Sequence, residues 1–165
     1  MTFDTSYIAH ALLVGVGATI ILDAWSLFLK LVFKVAPPNF CMVGRWLLHM
    51  PQGTFVHASI AAAEPKHAEC AAGWTLHYLI GVVFAFVFLM LVSSDWLARP
   101  TLFPALLFGI ATVLFPLLLL QPSLGHGFAA SRTPNPTQAR LKSLMTHTAF
   151  GLALYGAAVC LLSVR

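Results

Sequence analysis

Charged side chains are scarce in this 165-residue sequence, and their scarcity excludes an ordinary water-soluble domain. Only 8% of the residues are Asp, Glu, Lys or Arg, whereas 59% are apolar. Soluble domains carry about 25% charged residues, which keep their surfaces hydrated. A chain this apolar needs lipid to cover its surface, which indicates an integral membrane protein.

Motifs for several classes of enzyme are also missing. The three cysteines form no C-x-x-C pair, so the sequence does not indicate a thiol redox enzyme. The glycines of "GVGATI" match neither a dinucleotide-binding turn nor a P-loop. No nucleophile lies beside a candidate base, so nucleophilic catalysis has no sequence signature here either.

Long apolar runs, in contrast, are abundant and divide the chain into four segments. A helix needs about 20 mostly apolar residues to cross a hydrocarbon core of about 30 Å. Residues 7–33, 74–92, 102–120 and 141–162 meet that length. The first run is too long for a signal peptide and follows no basic region, so we expect it to remain in the mature protein. The sequence predicts an all-α, polytopic membrane protein in which residues 1–165 form a single domain of four transmembrane helices.

The basic residues cluster in two loops, and this predicts the orientation in the membrane. Cytoplasmic loops are enriched in Lys and Arg. Only Arg99 and Arg165 lie away from the loops of residues 34–73 and 121–140, and seven of the nine basic residues lie in or beside them. These seven are Lys30, Lys34, Arg45, Lys66, Arg132, Arg140 and Lys142.

We therefore expect both of these loops in the cytoplasm, both termini outside, and a cell inner membrane as the location. The net charge of +4 then reflects membrane topology and does not indicate a nucleic-acid partner. Cys41 and Cys70 would lie in the reducing cytoplasm and Cys160 near the outer face. On that basis we expect no disulfide.

The first loop begins with a segment that resembles an amphipathic helix. In "PPNFCMVGRWLLHMPQG" apolar residues recur at helical spacing, Asn39 can cap the start, and "PQG" can end the helix. Arg45 and His49 lie one turn apart on another face. The simplest interpretation is a short interfacial helix, with Trp46 as its anchor and Arg45 near lipid phosphate. The alternative is a re-entrant segment that covers the bundle from the cytoplasmic side.

The loop of residues 121–140 is rich in Gly, Pro and Ser. Gly125 and Gly127 flank His126 and would let backbone amides turn toward an anion, and Arg132 would add a charge. Ordinary turns explain the same residues without any ligand. Asn135 followed by Pro136 is typical of a helix start, so the last helix should begin before its apolar part.

Among the ionisable residues inside the predicted spans, Asp23, His77 and His147 are the candidates for a functional site. A charge at the centre of a membrane costs about 2.5 to 3.5 kcal/mol, so such residues usually face the interior of a helix bundle. Each of the three shares a helix face with small residues at four-residue spacing, which favour helix contacts. A rise of 1.5 Å per residue places all three in the cytoplasmic half, at levels that Gln121 also reaches. The small residues are Gly15, Thr19, Gly81, Ala85, Gly109 and Gly151.

A carboxylate with two imidazoles allows three interpretations. The three residues could bind a divalent metal, because His and Asp are suitable ligands of zinc and iron. They could carry protons or couple proton movement to a substrate, because the pKa of His lies near neutral pH. They could also form a structural network in which Asp23 orients an imidazole and keeps the helices in register.

Several segments taken together resemble a family of small bacterial inner-membrane proteins described only as a domain of unknown function. They are "VGRWLLHMPQGTFVH", "GWTLHYLIGVVFAF", "RPTLFPALLFGIATVLFPLLLLQPSLGHGFAASRTPNP" and "HTAFGLALYG". The resemblance covers nearly the whole chain and implies a protein with four spans, but it implies no activity. The positions that match the pattern of the family include Arg45, Trp46, His49, His77, Gln121, Ser131, Arg132 and His147.

Three functions remain open at the level of sequence. The first, which the sequence favours, is a ligand-, metal- or proton-binding protein, related to transport and dimeric, in which Asp23, His77 and His147 line a polar cavity. The second is an enzyme that acts on a lipid or quinone-like substrate, with Arg45, His49 and His126 at the membrane surface. The third is an accessory or scaffold protein whose polar residues only fix helix packing. Membrane lipids are the expected surroundings in all three cases.

Overall fold

The fold consists of helices, as the sequence predicts. A computed structural model describes residues 5–92 and 95–163, and Arg165, one of the two basic residues expected outside, lies beyond them. The described residues form α-helices joined by short 3-10 and π-helical turns, without a β-strand. The α-helices are α1 (Thr5–Phe33), α2 (Phe40–His49), α3 (Glu69–Leu91), α4 (Leu102–Ala111), α5 (Gln121–Ser123) and α6 (Pro136–Ser163).

Four segments in the described part of the chain are long and apolar enough to cross a membrane, which confirms the four predicted spans. They are Tyr7–Phe33, Glu69–Leu91, Leu102–Ser123 and Pro136–Ser163. The third consists of α4, α5 and a π-helical turn at Pro116–Leu120. Only 22% to 33% of the residues in each span are buried inside the protein. The outward faces are therefore largely apolar, as contact with lipid requires.

The helix ends follow the capping signals in the sequence. The Asn39 side chain accepts a hydrogen bond from the backbone N–H of Cys41 at 3.1 Å, and α2 begins between them. Gly53, with a φ of 79°, ends the 3-10 turn after α2. The Asn135 side chain accepts a hydrogen bond from the N–H of Gln138 at 3.2 Å, and α6 begins at Pro136. The predicted starts of α2 and α6 are confirmed.

The described residues divide into two compact units. The loop unit comprises residues 38–77 and 112–145, and the helix unit comprises the other described residues. Small residues allow close helix crossings in the helix unit, as the sequence predicts. A Cβ atom on Gly81 would overlap the Thr19 side chain of α1, and one on Gly109 would overlap the backbone of Gly151 in α6. These contacts bring the helix backbones together.

One polar contact joins two membrane-spanning helices within the helix unit. The hydroxyl group of Tyr78 in α3 donates a hydrogen bond to the Asp23 carboxylate of α1, and the two oxygen atoms are 3.0 Å apart. Asp23 therefore faces a neighbouring helix, which is the orientation its small-residue stripe predicts.

Loss of this hydrogen bond should lower stability by a modest amount. Tyr78→Phe removes the donor but keeps the ring, and an interhelical hydrogen bond in a membrane contributes about 0.6 to 1.7 kcal/mol. We expect the free energy of unfolding to fall by that amount in a titration of mixed micelles with sodium dodecyl sulfate. Tyr155→Phe is the matched control, because the Tyr155 hydroxyl has no hydrogen bond within the described residues. Equal effects of the two substitutions would contradict the assignment.

Candidate functional site

An ion pair between Arg45 and Glu69 joins α2 to the start of α3 in the loop unit. Nε and Nη2 of Arg45 donate hydrogen bonds to the two carboxylate oxygens of Glu69, each at 2.8 Å. Nη1 donates to backbone carbonyls within the segment 60–63, most closely to Ala63 at 3.1 Å. Glu69 also accepts a hydrogen bond from the N–H of Lys66. The hydrogen bond with Glu69 raises the pKa of the Arg45 guanidinium, which keeps the ion pair charged.

These contacts correct the predicted environment of α2. Arg45 is only 8% exposed and is bound to protein groups, so it does not contact lipid phosphate. Trp46 is equally buried, packs with Ile60 and Leu124, and donates a hydrogen bond from Nε1 to the carbonyl of Phe55. The expectation that Trp46 anchors the chain in the membrane interface is therefore wrong. Burial in the loop unit, which helical periodicity alone cannot reveal, takes both side chains away from lipid.

The helix α2 crosses the start of α3 at very short range. A Cβ atom on Gly44 would overlap the Glu69 carbonyl oxygen, and one on Gly73 would overlap the carbonyl oxygen of Phe40. Three residues before each of these glycines stands a cysteine, and Cys41 and Cys70 form a disulfide bond. The expectation of no disulfide is therefore wrong. That expectation rested only on the reducing conditions of the cytoplasm. The crossing of α2 and α3 brings together two cysteines that are 29 positions apart in the sequence.

Two histidines of the loop unit face each other close to this ion pair. His49 lies one turn after Arg45 on α2, and His57 lies in the loop that follows. Their ring centroids are 5.0 Å apart and their planes are nearly perpendicular, at 77°. The His49 Nε2 atom is 3.0 Å from the Glu64 carbonyl oxygen. Because a carbonyl only accepts, Nε2 must carry the proton, and Nδ1 of a neutral His49 ring keeps its lone pair.

His57 is held in place by its backbone rather than by its ring. Its N–H donates to the Ser123 carbonyl at 2.9 Å, and the N–H of Ile60 donates to the Leu124 carbonyl at 3.1 Å. The residue is only 9% exposed. Nevertheless, neither ring nitrogen has a hydrogen-bond partner among the described residues. A buried polar group without a partner costs about 1 to 3 kcal/mol, and such a group in a native protein calls for an explanation.

The three candidate residues of the spans do not form the predicted metal site. No group of three or more His, Cys, Asp or Glu side chains within the described residues could hold a metal ion. Asp23 instead accepts the hydrogen bond of Tyr78. The His77 ring stacks on Phe40, with centroids 4.0 Å apart. His147 lies on α6, and its carbonyl oxygen would be 2.7 Å from a Cβ atom placed on Gly109.

The glycine-rich loop is built from turns, as the ordinary interpretation of its residues predicts. The N–H of Gly125 donates to the Pro122 carbonyl, and that of His126 donates to the Gln121 carbonyl at 2.8 Å. The N–H of Arg132 donates to the His126 carbonyl, and both of these side chains are exposed. Of the candidate residues in this loop, Gln121 is partly buried. Its amide nitrogen donates to Ser143, while Oε1 is buried and has no partner among the described residues.

Several residues of this arrangement were not among the candidates from the sequence. His57 was missed because it lies in a loop without periodicity, although it stands eight residues after His49. Glu69 was missed because the apolar part of its helix begins at residue 74. The signal that could have identified it is charge balance. A basic residue within an apolar helix needs an acidic partner, and only Glu64 and Glu69 lie in the same loop.

Comparison with known proteins identifies a family and no activity. A family model described as "Protein of unknown function (DUF2938)" matches residues 12–161. No curated protein and no solved structure matches the chain. The match covers most or all of each membrane-spanning helix and the whole of the loop unit. It confirms the family that the motifs resemble, and the chain belongs to the DUF2938 family.

Proposed function

We propose that this protein is a multi-pass membrane protein that binds a small polar ligand at the imidazoles of His49 and His57. The observation that carries the proposal is the ring of His57, which is buried and has no hydrogen bond on either nitrogen. A neutral imidazole offers one donor and one acceptor. A ligand that carries both kinds of group would satisfy His57 and remove the cost of burying it unpaired.

The surroundings favour a ligand over a chance packing of rings. The Glu64 carbonyl fixes the tautomer of His49, so its Nδ1 is an acceptor that complements any donor on the ligand. The ion pair fixes α2, the helix that carries His49, against α3. Rigid support of this kind is what a binding site requires. Two imidazoles without a third ligand group favour a hydrogen-bonding molecule over a metal ion.

The orientation that we propose follows from the basic residues. With the loops of residues 34–73 and 121–140 in the cytoplasm of a cell with an inner membrane, the ligand would reach the site from the cytoplasmic side. Lys34, Arg132 and Arg140 are exposed and would face the anionic surface of that leaflet. Both termini would lie outside.

Replacement of His57 by Phe tests the proposal. Phe keeps an aromatic ring and removes both nitrogens, so the variant should fold and melt no lower than the wild type in the absence of ligand. We expect native mass spectrometry of the wild type, released gently from detergent, to show an adduct of constant mass. The variant His57→Phe should lose this adduct.

The matched control is His77→Gln, which changes a histidine whose ring packs on Phe40 in the same unit. This variant should keep the adduct. A wild type that carries no adduct would contradict the proposal, and so would an adduct that persists in folded His57→Phe. If the adduct that His57→Phe loses has the mass of zinc or iron, the site binds a metal ion, and the proposal of a polar molecule is wrong.

A further inference from the structure

The disulfide, the ion pair and the site histidine lie on one face of one helix. Cys41, Arg45 and His49 follow each other at four-residue spacing along α2, so their side chains form a single stripe. Cys41 is bonded to Cys70, and Arg45 is paired with Glu69, the residue next to Cys70. The stripe therefore fixes the position of α2 against α3 at two adjacent points. His49 lies one turn further along the same helix.

The disulfide lies at the surface of the loop unit. Cys70 is exposed and Cys41 is partly buried, so a thiolate from solution can reach the bond from the Cys70 side. The basic residues predict that this loop lies in the cytoplasm, where thiols are kept reduced and disulfides are usually transient or redox-sensing. An exposed disulfide in such a compartment differs from the buried, permanent crosslinks of secreted domains.

We infer that the Cys41–Cys70 pair is a redox-responsive clamp that sets the position of α2 and, through it, of His49. The regulatory consequence rests on the proposed function of the His49 and His57 site, whereas the movement of α2 does not. In the oxidised protein the disulfide adds to the ion pair and holds α2 on α3. In the reduced protein this crosslink is absent, so only the ion pair and the packing at Gly44 and Gly73 hold α2 on α3, and α2 opens more often.

The reaction is thiol–disulfide exchange with a dithiol. A thiolate of the dithiol attacks Sγ of Cys70, forms a mixed disulfide and releases Cys41 as a thiolate, which takes up a proton. The second thiolate of the reductant attacks its own sulfur in the mixed disulfide and releases Cys70, which is protonated in turn. Two electrons and two protons pass to the protein, and the dithiol leaves as a disulfide. Exchange with a small-molecule disulfide restores the clamp by the reverse steps.

Hydrogen exchange of α2 tests the clamp without any ligand. The background variant is Cys160→Ser, because Cys160 is a free and exposed cysteine. After reduction with tris(2-carboxyethyl)phosphine, amides of Phe40–His49 should exchange about threefold faster or more, while those of Leu102–Ala111 should not change. A further Cys41→Ser and Cys70→Ser variant should exchange at the reduced rate under both conditions. Unchanged exchange of α2 after complete reduction would overturn the inference.

Trapping in growing cells tests the redox response. Cells are quenched in acid and the thiols are labelled with a maleimide, so that the mass of the protein reports how many cysteines were free. We expect a reduced fraction at rest that falls after treatment with the oxidant diamide. A pair that is fully disulfide-bonded at rest would make it a fixed crosslink and would contradict the inference. Neither the hydrogen exchange of α2 nor the thiol labelling depends on the adduct at His57. Failure of the clamp can therefore be distinguished from failure of the proposed ligand site.

Discussion

Replacement of Arg45 by Met should strongly destabilise the loop unit. The substitution keeps much of the apolar stem. It removes the cation that pairs with the Glu69 carboxylate, which keeps only the N–H of Lys66, and it removes the donor to the carbonyls of residues 60–63. Loss of one partner of a buried ion pair is strongly destabilising, because the remaining charge is uncompensated. We expect the apparent Tm of the protein in detergent to fall by about 10 °C or more. Arg132→Met is the matched control, because Arg132 is exposed, and it should melt as the wild type does.

A second variant separates the charge from the packing. Glu69→Leu alone should destabilise as Arg45→Met does, whereas the double variant should recover a large part of the loss, because no unpaired charge remains. The double variant also tests the site, since α2 would still be held by its glycine crossing. Additive losses in the double variant would show that the two residues act independently, and that result would contradict the role given to the ion pair.

Replacement of Gly73 by Ala should force α2 away from α3 at their crossing, while the Cys41–Cys70 disulfide still links the two helices. The new methyl group would overlap the Phe40 carbonyl oxygen and lie 3.0 Å from the Gly44 nitrogen, and both atoms belong to a backbone that no rotamer change can move. Overpacking usually costs about 1 to 3 kcal/mol, and this contact should reach or exceed the upper end of that range. Trypsin cleavage after Lys66, measured on the intact protein, should become faster than in the wild type.

A matched glycine shows what the same change does without a close crossing. A Cβ atom on Gly156 would lie 3.7 Å from the nearest side-chain atom, which is ordinary contact. Gly156→Ala should therefore be neutral or stabilising by up to about 1 kcal/mol, since Ala is the better helix former. Similar losses in Gly73→Ala and Gly156→Ala would show that helix propensity, and not the crossing, determines the effect.

The membrane-spanning part of the fold could be predicted from the sequence because lipid imposes a simple rule. Apolar length alone located the four spans, and Asn135 with Pro136 located the start of α6. Small residues at four-residue spacing predicted the faces where α1 meets α3, at Thr19 and Gly81. Each of these signals is local, so a single sequence contains all the information that the prediction needs.

The candidate site could be predicted only in part, because it is built from long-range contacts between loops. Arg45 and His49 were identified as a pair one turn apart, but their partners Glu69 and His57 come from other segments. The same spacing that predicted an amphipathic helix gave the wrong surroundings for Arg45 and Trp46. Periodicity shows that a helix has two faces, but it does not tell protein from lipid headgroups on either face.

The proposal that a small polar ligand satisfies the buried ring of His57 can be tested by an experimental density map of the protein in a lipid nanodisc, at a resolution that shows ordered water. It predicts density larger than one water molecule, within about 3 Å of a ring nitrogen of His57. Protein groups hydrogen-bonded to both ring nitrogens, or a single water in that place, would contradict it.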